Sequence, residues 1–180
     1  MKTCENYGTI EAKGGMKMDF IYEYKSPVGR LLLSSDGEAL TGLWIEGQKY
    51  YAATLSTDAE KRETPVHLKA ASWLTAYFNG QAPEIDFPLK PKGSSFRQAV
   101  WEVLRSIPYG AATTYGAIAA QLSQITGKST SARAVGGAVG HNPISIIIPC
   151  HRVVGTSGKL TGYAGGLDVK QTLLELEKQE

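Results

Sequence analysis

The sequence predicts an α/β protein: a small antiparallel sheet with one helix, followed by a helical unit of helix-turn-helix type. Three observations carry this prediction. Three short runs rich in Ile, Leu, Tyr and Trp come first, a proline-rich stretch breaks the chain near its middle, and helical spacing governs the apolar residues beyond it. The charge balance changes at the same break. Residues 1–90 hold ten Lys and Arg against twelve Asp and Glu, while residues 91–180 hold nine against five. Between 92 and 170 there are eight basic residues and two acidic ones. One half therefore suits a polyanion and the other does not.

In chain order, residues 1–17 are polar and without periodicity, and read as a loose leader. Asp19–Tyr24, Gly29–Ser35 and Leu40–Ile45 are separated by Ser-Pro and Asp-Gly turn signals and form an antiparallel meander. Thr64-Pro65 starts a helix on which Leu68, Ala71, Leu74 and Phe78 recur at helical spacing, and Gly80 closes it. Gln81–Gly93, with Pro83, Pro88 and Pro91, is a linker. The domains are accordingly 18–90 and 91–180. In the second, Ser94 or Ser95 caps a helix with Phe96, Val100, Val103 and Leu104 on one face, ending before Pro108. Thr113-Thr114 caps another containing Tyr115, Ile118, Ala119 and Leu122. After a Gly-containing turn, Gln124–Lys128, Ser129–Ser131 caps a third over Arg133–Val139. Two short helices joined this way form a helix-turn-helix.

Two cysteines, Cys4 and Cys150, make no disulfide framework. The N-terminus lacks the apolar core of a signal peptide, and no stretch approaches the roughly 20 apolar residues of a membrane span. A cytoplasmic protein with free thiols and no membrane partner is expected. Ordinary proportions of hydrophobic (42%) and charged (20%) residues exclude disorder and fibrous repeats.

The chemistry lies in residues 142–154, Asn-Pro-Ile-Ser-Ile-Ile-Ile-Pro-Cys-His-Arg-Val-Val. An apolar, extended run delivers Cys150 beside His151 and Arg152. A thiol is a poor nucleophile until ionised, and a neighbouring base or cation lowers its pKa. An isolated Cys in an apolar run is usually a small core residue, but Cys-His-Arg after a strand-breaking proline points to a nucleophile. Adjacent strand residues face opposite ways, so His151 is expected to act on Cys150 through a water.

Pro149-Cys150-His151-Arg152-Val153 follows Asn142-Pro143 and Ser131-Ala132-Arg133-Ala134-Val135-Gly136-Gly137, and precedes Gly162-Tyr163-Ala164-Gly165-Gly166. These ordered blocks resemble the active-site signature of the O6-alkylguanine-DNA alkyltransferases, over Phe96 to Glu177, with looser agreement in the N-terminal half. The resemblance implies a ribonuclease-H-like N-terminal domain and a winged-helix-like C-terminal one. It implies a DNA repair protein that moves an alkyl group irreversibly from guanine O6, or thymine O4, to Cys150 after base flipping, once per molecule. The same resemblance implies the residue roles that follow: Glu177 orients His151, which takes the thiol proton through a water, while Asn142 holds the loop. The Tyr115 hydroxyl meets guanine N3, and Tyr163, Gly165 and the backbones of Val153 and Ala164 form the base pocket. Arg133 enters the duplex, Ser129, Thr130 and Ser131 cap the helix and meet phosphates, and Gly136 and Gly137 allow close approach to the minor groove.

The implied partner is double-stranded DNA carrying O6-alkylguanine, bound by a monomer that needs no cofactor. Some relatives hold a zinc ion, but Cys4 and a distant His67 do not supply the usual four ligands, so no metal is expected. His141 is expected to be exposed. Two other classes were weighed. A non-catalytic lesion-binding protein lacks the cysteine that is present here. A cysteine hydrolase normally draws its Cys and His from separate elements.

Overall fold

The computed structural model describes residues 18–178. The expected leader over 1–17, with Cys4, lies outside the described residues. The first half is a four-stranded sheet, β1 Phe20–Ser26, β2 Gly29–Ser35, β3 Leu40–Ile45 and β4 Glu60–Lys61, in the order β3-β2-β1-β4. The three expected strands form the antiparallel meander, and the short β4 adds a parallel edge beside Phe20 and Ile21. Gly42 in β3 lies against its own neighbour's ring. A Cβ there would fall 2.0 Å from the Trp44 indole, so only glycine lets that ring fold over the strand.

Helix α1, Pro65–Phe78, starts where Thr64-Pro65 places it, with Thr64 and His67 closing a reciprocal cap. Its buried stripe differs from the expected one. Val66, His67, Ala70, Trp73, Leu74 and Tyr77 face inward, whereas Leu68 is 50% exposed. The stacked rings of Trp73 and Tyr77 are the largest apolar groups on the helix and decide its rotation. The proline-rich segment that follows is also bound down. Phe87 is buried, Leu40 N–H donates to Pro88 O (2.9 Å), and Lys90 N–H donates to Leu40 O (2.8 Å).

The second half packs α2 Ser95–Arg105, α3 Tyr115–Thr126, α4 Ala132–Gly140 and α5 Leu167–Leu176 around the ends of a two-stranded parallel ribbon, β5 Thr113–Thr114 with β6 Val153–Val154. Ser94, Thr114 and Ser131 cap their helices by accepting from Arg97, Ala117 and Ala134 N–H. Phe96 is 39% exposed and leaves the expected face to Trp101, whose indole N–H donates to Ala138 O (2.9 Å) and ties α2 to α4. Helix α3 runs three residues into the expected turn, until Gly127 takes the left-handed conformation at φ +66°. No helix among the described residues is long and apolar enough to cross a membrane.

Residues 142–152 depart most from expectation. The run before Cys150 does not form an extended strand: Ile146 has φ +70°, and Cys150–Arg152 is a turn of 3₁₀ helix. The cause is Asn142. Its Oδ1 accepts from Ile144 N–H (3.0 Å) and its Nδ2 donates to Ile148 O (2.8 Å), folding the apolar run into a loop. The same loop reaches back to the sheet. Leu43 N–H donates to Pro143 O (2.8 Å) and Ser145 N–H to Leu43 O (2.9 Å), so β3 and the cysteine loop share a ladder.

Candidate active site

Cys150 sits at the end of this loop and is buried, 4% exposed as a residue. Asn142 Nδ2 lies 3.1 Å from Sγ, so the side chain that shapes the loop also touches the sulfur. The expected cation beside the thiol is not Arg152. Burial pushes the Cys150 pKa up; the Asn142 amide and the Lys170 ammonium pull it back only in part. Lys170, on α5, is fully buried and donates to Val153 O (2.5 Å) and Thr161 O (2.8 Å). The Tyr163 hydroxyl is also buried near the thiol. A hydroxyl proton directed at the thiolate lowers the thiol's pKa, yet here the group makes no hydrogen bond of ordinary geometry. The sulfur is therefore a thiol that needs a base, not a standing thiolate.

The base stands next to it. His151 is buried, and burial pushes its pKa down, so the imidazole is neutral. Its Nε2 bonds Glu177 Oε1 at 2.6 Å; since the carboxylate only accepts, Nε2 carries the proton and Nδ1 the lone pair. Nδ1 is buried with no partner. Glu177 also accepts from Arg152 Nε (2.8 Å) and Nη2 (3.0 Å), Gly110 N–H (3.1 Å) and the Tyr77 hydroxyl (2.7 Å). Arg152 thus clamps the acid instead of facing the thiol, and its Nη1 is anchored on Ile107 O (2.6 Å). Burial alone would raise the Glu177 pKa, but hydrogen bonds from His151 and Arg152 outweigh it and hold it at about 2.

Tyr77 and Lys170 were not found by sequence reasoning. Tyr77 comes from the first half and lies 100 positions from the carboxylate it bonds. Lys170 carried one legible signal: it shares with Leu173 and Glu177 a three- and four-residue spacing, which puts all three on one face of α5. A consequence is testable. Lys170→Met should slow carbamidomethylation of Cys150 by iodoacetamide at neutral pH and move its pH-rate profile upward. Two carbonyls losing their donor should also lower stability by about 1–3 kcal/mol. An unmoved profile would remove Lys170 from the thiol's surroundings.

A cleft of about 580 Å³ runs between α4 and the loop 161–164, and Tyr163, the ring beside the thiol, is part of its lining. Arg133, Gly136, Gly137 and Gly140 form its α4 wall, and Arg133 is exposed. A Cβ on Gly137 or Gly140 would meet nothing, and one on Gly136 would make ordinary contact with the Tyr115 ring at 3.7 Å. These glycines therefore open a surface and do not seat another helix. Ser131 caps α4, and Thr130 N–H donates to Ser123 Oγ (3.2 Å), fixing the turn before it. Tyr115 is half-buried at the cleft, with its hydroxyl donating to Thr161 O (3.3 Å).

Val153 is buried, its N–H bonded to Cys150 O and its carbonyl to Lys170. Ala164 O accepts from Lys49 N–H (2.9 Å). Gly165 is required by packing, because a Cβ would fall 2.9 Å from both Ile45 Cδ1 and the Tyr163 ring. His141, expected to be exposed, is half-buried and stacks on Tyr50. Among the described residues no group of three His, Cys, Asp or Glu could hold a metal ion.

Fold and site together define a helix-turn-helix protein that keeps a nucleophilic cysteine behind its second helix. The family model for the ribonuclease-like domain of 6-O-methylguanine DNA methyltransferase matches residues 21–91, and that for the DNA binding domain of the same protein matches 95–179. A methylated-DNA–protein-cysteine methyltransferase of Haemophilus influenzae is 47% identical over 156 residues, covering 86% of this chain and 84% of that one. One from Mycolicibacterium paratuberculosis is 47% identical over 154 residues, covering 86% and 89%. The crystal structure of Mycobacterium tuberculosis OGT in complex with DNA superposes with a TM-score of 0.78 at 45% identity, covering 88% and 92%. The chain belongs to the 6-O-methylguanine DNA methyltransferase family.

Proposed function

We propose that this protein repairs DNA by taking the alkyl group of an O6-alkylguanine in a duplex onto Cys150, once per molecule. The observation that carries the reading is the sulfur itself: a buried thiol touching an amide, next to a neutral imidazole whose free nitrogen is Nδ1. His151 Nδ1 takes the thiol proton, directly or through a water, and Glu177 and Arg152 hold the imidazole while it becomes charged. Sγ then attacks the alkyl carbon. The S–C bond forms as the C–O6 bond breaks, and the electron pair leaves with guanine, which takes up a proton. The product thioether has no leaving path, so the protein is consumed.

A base within a duplex does not reach a sulfur this deep, and rotating it out costs a few kcal/mol. Arg133, exposed on the glycine-rich wall of α4, is placed to fill the vacated stack. For Tyr115 to donate to the departing base, its hydroxyl exchanges the Thr161 carbonyl for guanine. Thiol, base, acid and cleft all come from one chain, which supports action as a monomer. Residues 18–90 serve as a supporting domain and 91–180 as the reactive and DNA-binding one.

The test is to mix the protein with a duplex carrying one O6-methylguanine and to digest it for mass analysis. One methylene gained on the Cys150 peptide, in no more than equimolar amount, is expected. An unmodified Cys150 beside a repaired or untouched oligonucleotide overturns the reading.

A further inference from the structure

The cleft has a second wall that the family motifs do not touch. Tyr50, in the loop after β3, stacks on His141 with ring centroids 4.0 Å apart and planes 23° apart, and both rings line the cleft. We infer that Tyr50, backed by His141, is a specificity-determining residue that closes the thiol end of the cleft and limits the size of the group on guanine O6. The inference rests on the alkyl-transfer reading above.

Two links place the stack at that end. His141 directly precedes Asn142, whose amide touches Sγ. Lys49, next to Tyr50, donates its N–H to Ala164 O, and Ala164 follows Tyr163, the ring beside the thiol. Arg133 lies eight residues back along α4, or about 12 Å at 1.5 Å per residue. A base entering past Arg133 with its O6 substituent at the sulfur therefore presents that substituent to Tyr50.

The backbone supports a role beyond connection. Tyr50 has φ +62°, a conformation that costs a non-glycine residue about 1–2 kcal/mol. Core burial does not account for it, since Tyr50 remains 39% exposed. The loop is pinned instead at both ends. Gln48 Oε1 accepts from Ile45 N–H (2.8 Å) and lies 3.2 Å from Ser145 Oγ, and Asp19 accepts from Ser56 N–H (2.9 Å) and pairs with Lys92 (2.8 Å). The ring is held as well, with the Lys49 ammonium 5.0 Å from its centroid. Strain maintained by surrounding bonds at the edge of a site is the mark of a positioned side chain.

The test compares second-order rates of Cys150 alkylation by duplexes carrying O6-methylguanine or O6-benzylguanine. Tyr50→Gly removes the ring and is at ease at φ +62°, so the variant folds. It is expected to raise the benzyl-to-methyl rate ratio about ten-fold, in line with what a pocket wall discriminates. Tyr50→Phe keeps the ring and should keep the wild-type ratio. If Tyr50→Gly changes both rates by one factor, the residue does not set specificity and the inference falls. If the wild-type protein gains no group from either duplex, the functional reading itself falls.

Discussion

Glu177→Gln is expected to slow alkyl transfer to Cys150 about 100-fold and to lower stability by about 3–5 kcal/mol. The two losses share one cause. Among the described residues the Glu177 carboxylate is the anion paired with the buried guanidinium of Arg152, and it fixes which nitrogen of His151 carries the proton. An amide in its place directs an N–H or a neutral oxygen at both partners, leaving a charge without a counterion and a base in the wrong tautomer. Single-turnover rates and urea unfolding at neutral pH measure the pair of effects.

A pH signature separates this from simple loss of packing. The folded pKa of Glu177, at about 2, lies below the roughly 4.3 of a free glutamate. Its contribution to stability is then complete above about pH 4.5 and is lost as the pH falls through the folded value. The wild type should therefore lose its advantage over the Gln variant progressively between about pH 4.5 and 2. Parallel stability curves across that range would contradict the buried ion pair.

Arg133→Ala should reduce the rate of alkyl transfer from O6-methylguanine in a duplex by about 30-fold, near 2 kcal/mol. Reaction with free O6-benzylguanine should stay within about twofold. Arg133 is the large exposed side chain on a wall it shares with Ala132, Gly136, Gly137, Val139 and Gly140, and it is not among the groups bonded to the thiol or its relay. A base that is already outside a helix needs nothing to fill its vacated place. Equal losses on the two substrates would assign Arg133 to the pocket or to folding instead.

What was legible in the sequence was local. Ser94, Thr114 and Ser131 announce helix starts because each side chain bonds an N–H three residues on, and the Asp36-Gly37 turn fixes where β2 ends. Cys150 beside His151 stands out from its own neighbours, whereas Asn142 and Glu177 enter only through the family resemblance, since nothing in Glu175-Leu176-Glu177-Lys178 distinguishes a buried acid from a solvated one. The misreadings have tertiary causes. Leu68 and Phe96 fit a helical period, yet Trp73, Tyr77 and Trp101 bury more area and set the rotation. The run 144–148 has the apolar content of a strand, but the hydrogen bonds of Asn142 fold it into a loop. Arg152 was placed beside the thiol by adjacency in the chain, whereas a 3₁₀ turn sends its side chain to Glu177. Tyr77, Lys170 and Tyr50 reach the site only through folding.

Helix α4, proposed above to face the duplex, owes its shape to the core beneath it. Its nine residues include Gly136, Gly137 and Gly140, each costing a helix about 1 kcal/mol relative to alanine. Isolated, a segment this short and this rich in glycine would be a random coil. It is helical because Val135, Ala138 and Val139 are buried and Ala138 O is tied to Trp101. The helix proposed to face DNA is thus not portable: grafted elsewhere it would have no shape, and in its own chain it exists only while the core beneath it is intact. A molecule that unfolds loses its grip on DNA in the same cooperative step.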